Sequence, residues 1–200
     1  MSSLRLHQIR FLDWEPVSLE IEAGGKVGIT GASGSGKSLL MRAIADLDLH
    51  DGEAFIDGEA RHSMPAPEWR RRVALLPADA AWWYDTVGEH FRAQPGPNWE
   101  ELGFSPDSAD WTISRLSAGE RQRLALLRML EGNPDVLLLD EPTANLDAEN
   151  TNRVEALVNR YQSATGAALL WVSHDTKQLN RTADTVFRMI GRHLEVIAET

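Results

Sequence analysis

The chain has 200 residues, of which 42% are hydrophobic, with a formal net charge of −10 and no cysteine. That length and apolar content suffice for one sizeable core, and the missing cysteines exclude disulfides, thiolate catalysis and Cys-built zinc sites. No cationic run exceeds Arg70-Arg71-Arg72, which argues against a nucleic-acid partner, because such affinity comes from clustered cations.

No apolar run approaches the roughly 20 residues needed to cross a bilayer, and the N-terminus lacks a signal-peptide core, so a soluble, cytoplasmic protein is expected. The arginine triplet is expected to be a solvated helix face. The histidines are scattered, with no metal-ligand spacing.

In chain order, Leu4 to Ile9 and Val17 to Ile21 alternate apolar and polar residues, the pattern of half-buried antiparallel strands. Phe11 and Trp14 lie between them, either as packing or as a stacking platform for adenine. The apolar run Val27-Gly28-Ile29-Thr30 then leads into Gly31-Ala32-Ser33-Gly34-Ser35-Gly36-Lys37-Ser38, and a helical run expected from Lys37 to Asp48 follows. A glycine-rich turn between strand and helix is what a phosphate loop requires. Its backbone N–H groups turn inward around a polyphosphate, Lys37 reaches the terminal phosphates, and the Ser38 hydroxyl can ligate Mg²⁺.

Asp51-Gly52, Glu53 to Ile56 and Asp57-Gly58 are expected to form turn, strand, turn. Trp69 to Arg72 leads into the apolar strand Val73 to Leu76, ended by Pro77. From Ala78 to Arg115 the character changes. Pro95, Pro97 and Pro106 interrupt the chain, Trp82, Trp83, Trp99 and Trp111 recur, and only Thr86 to Ala93 has a helical pattern. This stretch is expected to be an inserted subdomain, its rings forming either an exposed partner surface or a small core.

Leu116-Ser117-Ala118-Gly119-Glu120 opens a helix that runs to Gly132-Asn133-Pro134. Ser117 and Glu120 have capping-box spacing, and the same helix start also suits an anion. Val136 to Leu139 is unbroken apolar, the pattern of a parallel strand buried on both faces. Asp140 and Glu141 follow at its carboxyl end, where open α/β sheets hold ligands, Asp140 as a Mg²⁺ holder and Glu141 as polariser of an attacking water. After the turn Pro142 to Asp147 comes a helix with Val154, Leu157, Val158 and Tyr161 on one face. The strand Ala168 to Val172 delivers Ser173-His174-Asp175, where His174 is either a packing residue or a γ-phosphate contact. Val186 to Met189 and Leu194 to Ile197 suggest a terminal hairpin.

Taken in order, Gly31 to Ser38, Leu116 to Glu120, Val136 to Glu141, Asn145-Leu146-Asp147 and Ser173-His174 resemble the ATP-binding subunit of ABC transporters over nearly the whole chain. The run Leu169 to Asp175, with Asn180 to Asp184, is similar more narrowly to compact ATPase subunits of iron-export systems. The resemblance implies an α/β, RecA-like P-loop NTPase core with an antiparallel β subdomain, residues 1–77 and 116–200, and a short inserted helical subdomain, residues 78–115. It implies ATP and Mg²⁺ as ligands, ATP hydrolysis, and a separate membrane permease as partner at the inner face of the cell membrane. It also implies a head-to-tail dimer, with itself or a second ATPase, in which Ser117, Ala118, Gly119 and Glu120 of one copy face ATP held by the other. Lys37 would bind phosphate, Ser38 and Asp140 serve Mg²⁺, Glu141 act as base, His174 sense the γ-phosphate and Asp147 communicate across the dimer.

The chain departs from the family pattern at Ala78, where a glutamine is usual, at Ala118, where a glycine is usual, and in its short tryptophan-rich insert. Two other roles are compatible with the motifs, a soluble ABC ATPase acting in assembly, for example in iron–sulfur cluster biogenesis, or a nucleotide-gated regulator. Glu141 speaks against a site that has lost hydrolysis.

Overall fold

The computed structural model describes residues 2–92 and 98–199. Two sheets carry the fold. β1 (Leu4–Arg10), β2 (Val17–Ile21), β4 (Asp51–Ile56) and β5 (Glu59–Ala60) form an antiparallel sheet in the order β2-β1-β4-β5. β3 (Lys26–Gly31), β6 (Val73–Leu76), β7 (Val136–Asp140), β8 (Ala168–Val172), β9 (Thr185–Ile190) and β10 (His193–Glu199) form a second sheet in the order β10-β9-β3-β8-β7-β6. Its strands pair in parallel except for the β9–β10 hairpin.

The central strands are apolar throughout because both faces of this sheet are covered. Val136 and Leu138 of β7 join one core cluster with β1, β2 and α1 (Lys37–Ile44), while Leu137 and Leu139 join a second with α3 (Ala118–Leu130), α4 (Ala148–Thr165) and α5 (Thr176–Thr182). Successive side chains of a strand point to opposite faces, so four consecutive leucines and valines serve two cores. Trp69, on α2 (Ala66–Arg72), is fully buried in the first core and its indole N–H donates to the Ile44 carbonyl at 2.9 Å.

Four expectations are corrected. Asp51-Gly52, expected as a turn, is the start of β4. The helix from Lys37 stops at Ile44, not Asp48, because Asp46 takes a left-handed backbone (φ 56°) and its carboxylate is held by Arg61 and Arg70. The arginine triplet is not simply solvated. Arg72 Nε donates to Asp135 Oδ2 at 2.5 Å, and its other nitrogens face Glu59 and Asp57 at 3.3 and 3.5 Å, so one guanidinium joins the two sheets. Between β6 and α3 the described residues form short 3-10 turns and no α-helix. In place of a helix starting at Thr86 there is a single turn, Gly88–His90, since Thr86 bridges Thr112 and its N–H and hydroxyl are both taken by Glu89. Ala93, Pro95 and Pro97 lie outside the described residues.

The insert's aromatics divide between a small core and an exposed set. Trp99 and Phe104 are buried, with Phe91 against Trp99 at 4.8 Å and the Arg123 guanidinium over Phe104. Trp83 and Tyr84 are 62% and 51% exposed beside the insert's His90.

Candidate nucleotide site

The loop from Gly31 to Ser38 leaves β3 at the carboxyl end of the large sheet and enters α1. Gly36 sits at φ 98° as the residue before the helix, a conformation L side chains avoid. A Cβ there would lie 3.1 Å from the Trp14 indole. Trp14 is buried and stacked on Phe11 at 5.4 Å, so the Trp14 ring packs under the loop, Phe11 packs on it, and neither is a freely exposed platform for a purine. A Cβ on Gly31 would come within 2.8 Å of the Met189 carbonyl, so β9 backs directly onto the loop.

Lys37 Nζ folds back to the Gly31 and Ala32 carbonyls, each at 2.9 Å. Burial lowers its pKa, while Glu141 and Asp140 pull in the opposite direction. Ser38 Oγ donates to Asp140 Oδ2 at 2.6 Å, which joins the start of α1 to the end of β7 across the sheet. Glu141 leaves the strand in a left-handed conformation at φ 50°, while its N–H still donates to the Val172 carbonyl at 3.1 Å. A non-glycine residue in that region costs about 1–3 kcal/mol. Its Oε1 is buried without a hydrogen bond and lies 3.1 Å from His174 Nε2. Desolvation raises the Glu141 pKa, opposed by His174 and Lys37.

A cleft of about 250 Å³ is lined by the loop from Ser33 through Leu39, by Ala78, Asp140, Glu141 and His174. An adjoining one of about 610 Å³ is bounded by the loop from Thr30 to Ser35, by His174 and by Arg188 to Gly191 of the terminal hairpin. Donors, a cation, hard oxygen ligands and a carboxylate of raised pKa therefore converge on one opening, the arrangement that phosphoryl transfer to water requires. Ala78 presents only a methyl group there.

Ser117, Ala118, Gly119 and Glu120 are not among the residues lining that cleft; they form the N-terminus of α3. The capping box is complete: Glu120 N–H donates to Ser117 Oγ at 3.2 Å, and Ser117 N–H and Oγ donate to Glu120 Oε2, each at 2.8 Å. Against the burial that would raise it, those two donors hold the Glu120 pKa below the usual carboxylate value. A Cβ on Gly119 would sit 2.8 Å from Leu146 Cδ2 and 3.0 Å from the Asn145 carbonyl, so the two segments of one chain are in tight contact. Asp147 caps α4 by accepting from Asn150 N–H at 2.8 Å. Sequence reasoning missed that contact, and also the buried Gln178 behind the site, because a polar residue four positions after His174 carries no local sign of burial.

The family model described as ABC transporter matches residues 14–144. The chain is 34% identical over 195 residues to "Protein STAR1" of Oryza sativa subsp. japonica, covering 90% of this chain and 56% of that protein. It is 33% identical to "ABC transporter I family member 17" of Arabidopsis thaliana, covering 90% and 74%. It is also 33% identical to "Probable iron export ATP-binding protein FetA" of Escherichia coli strain K12, covering 86% and 82%. A solved bacterial Atm1-family ABC exporter with ATP bound shares the fold, with a TM-score of 0.82 over 97% of this chain and 38% of that one at 23% identity. The chain thus spans about half of STAR1 and just over a third of the exporter chain. With the model matched across most of the sequence and relatives such as FetA matched over most of their own length, this chain belongs to the family of ABC transporter ATP-binding proteins.

Proposed function

We propose that the chain is the ATP-hydrolysing subunit that powers transport through a separate membrane permease. The observation that carries this reading is the convergence of the phosphate loop, Asp140, Glu141 and His174 on one cleft. The loop amides and the start of α1 receive the phosphates, and Lys37 exchanges the Gly31 and Ala32 carbonyls for phosphate oxygens. Ser38 and Asp140 are adjacent hard-oxygen donors, which fits Mg²⁺. A Mg²⁺ held by these two side chains would supply neutralisation of the phosphate charge that builds up during hydrolysis. Glu141 takes the proton of the attacking water, and its raised pKa brings it nearer the working pH of a general base. His174, half exposed beside it, donates to the γ-phosphate.

Ser117 to Glu120 complete the site of a second copy, or of a second ATPase, in a head-to-tail pair, and Asp147 relays between the two sites. That assignment is supported by their place at a helix start away from their own chain's cleft. Residues 78–115 are the insert that faces the permease, supported by the exposed Trp83 and Tyr84. On this reading the protein works as a peripheral subunit on the inner face of the cell membrane; among the described residues no helix is long and apolar enough to cross a membrane.

Steady-state ATP hydrolysis by the purified chain, compared with Lys37→Ala and Glu141→Gln, tests the reading. Both variants should lose activity, and wild-type turnover in Lys37→Ala would sink it. Co-purification with a polytopic membrane protein separates a transport subunit from a soluble assembly factor.

A further inference from the structure

β7 and β8 stay hydrogen-bonded as far as Asp140 and Val172, with one more bond from Glu141 N–H to Val172. Past that point the two chains part, one through Pro142-Thr143 toward Leu146, the other through Ser173-His174 toward α5. Glu141 and His174 stand just where the backbone ladder stops holding their segments together. Gln178 of α5 takes over there. It is 2% exposed, and its Oε1 accepts from Ser173 Oγ at 3.0 Å and from Thr143 Oγ1 at 3.1 Å. Its Nε2 donates to Thr143 Oγ1 at 2.9 Å and to Glu155 Oε1 at 2.7 Å. Glu155 is fixed in turn by Arg181, at 2.6 and 3.1 Å.

We propose that Gln178 is a positioning residue that fixes the distance and orientation between Glu141 and His174 by tying Thr143 to Ser173. The inference rests on the reading that these two side chains act together on ATP. Each polar atom of the buried amide is used by a named partner, so its rotamer is locked. Ser173 Oγ also accepts from Asp175 N–H at 3.1 Å, so the turn bearing His174 is held from both sides. An apolar replacement leaves the buried Ser173 hydroxyl and the partly buried Thr143 hydroxyl without their acceptor, and they reorient to find another.

The test is ATP hydrolysis by the full chain carrying Gln178→Met, with thermal melts to establish folding. Misplacing a reacting group by about 1 Å costs on the order of 10- to 100-fold, so kcat is expected to fall by about that much while KM for ATP stays within about twofold. In a His174→Ala background the same substitution should cost nothing further. The exchange Gln178→Glu with Glu155→Gln, which reverses donor and acceptor across the same contact, should recover activity to within about threefold of wild type. Unchanged kcat in folded Gln178→Met overturns the proposal, and so does a full additional loss in the His174→Ala background. If Gln178→Met does not fold, Thr143→Val removes one end of the tie and is read the same way. Independently of turnover, the Cε1–H resonance of His174 should move in Gln178→Met, and an unmoved resonance overturns the proposal as well. Inactive Lys37→Ala beside fully active Gln178→Met would refute only the positioning role, whereas fully active Lys37→Ala would refute the hydrolysis reading itself.

Discussion

Glu141→Gln removes a charge with almost no change in shape, and the geometry around it fixes two outcomes of opposite sign. The carboxylate lacks a hydrogen bond at Oε1, and burial has pushed its pKa up. A carboxyl whose pKa is raised by folding contributes stability that is fully present below its unfolded value and is lost as pH rises through the folded value. Wild type therefore loses stability on going from acid to neutral pH at this position, and the amide variant does not. Relieving a buried, poorly satisfied charge is worth about 1 kcal/mol here, since the amide also leaves one polar atom without a partner. For a chain of this size that corresponds to a rise in Tm of roughly 2–4 °C. The gain should be full at pH 8 and absent below about pH 4, the ordinary Glu value. Activity should move the other way, with kcat falling by about 10²- to 10⁴-fold for loss of a general base, or about 3–5 kcal/mol in the barrier. Paired melts and hydrolysis assays at the two pH values check both. A variant less stable at pH 8, or one equally stabilised in acid, would refute the desolvated carboxylate, and a kcat within tenfold of wild type would refute the base.

Gly119→Ala should destabilise the fold by about 1–3 kcal/mol, the usual cost of overpacking, because its methyl meets Leu146 at 2.8 Å and the Asn145 carbonyl at 3.0 Å. The urea midpoint reads this, and an unchanged midpoint would show that the Asn145–Leu146 corner yields freely. Trp69→Phe leaves the buried Ile44 carbonyl without its donor and should cost about 1–3 kcal/mol, read as a lower Tm at unchanged kcat per folded molecule; a wild-type Tm counts against that bond.

Much of the site could be read from sequence because its parts are local. The spacing from Gly31 to Ser38 lies in one turn, the capping box of Ser117 and Glu120 spans one helical turn, and the apolarity of Val136 to Leu139 reports a strand covered on both faces. What stayed hidden depends on distant partners. Arg72 looked solvated because nothing beside it in the chain reveals Asp135, Asp57 and Glu59. The helical pattern after Thr86 yields to a bridge with Thr112, twenty-six positions away by residue number. Trp14 and Phe11 could be weighed as packing or as a platform, and their burial, with Trp14 against Gly36, becomes visible only in the fold.

The single guanidinium of Arg72, reaching acidic side chains on the small sheet and beside the large one, has a mechanical meaning. With the Trp14 and Trp69 rings in the same first core, it fastens the two sheets to each other through charge as well as packing. The insert, whose described residues form 3-10 turns, packs Val87, Trp99, Leu102 and Phe104 into the second core and is tied to α3 by Arg123 and Arg128. On the proposed docking at Trp83 and Tyr84, a push on the insert meets the catalytic core through α3, the helix that carries Arg123 and Arg128.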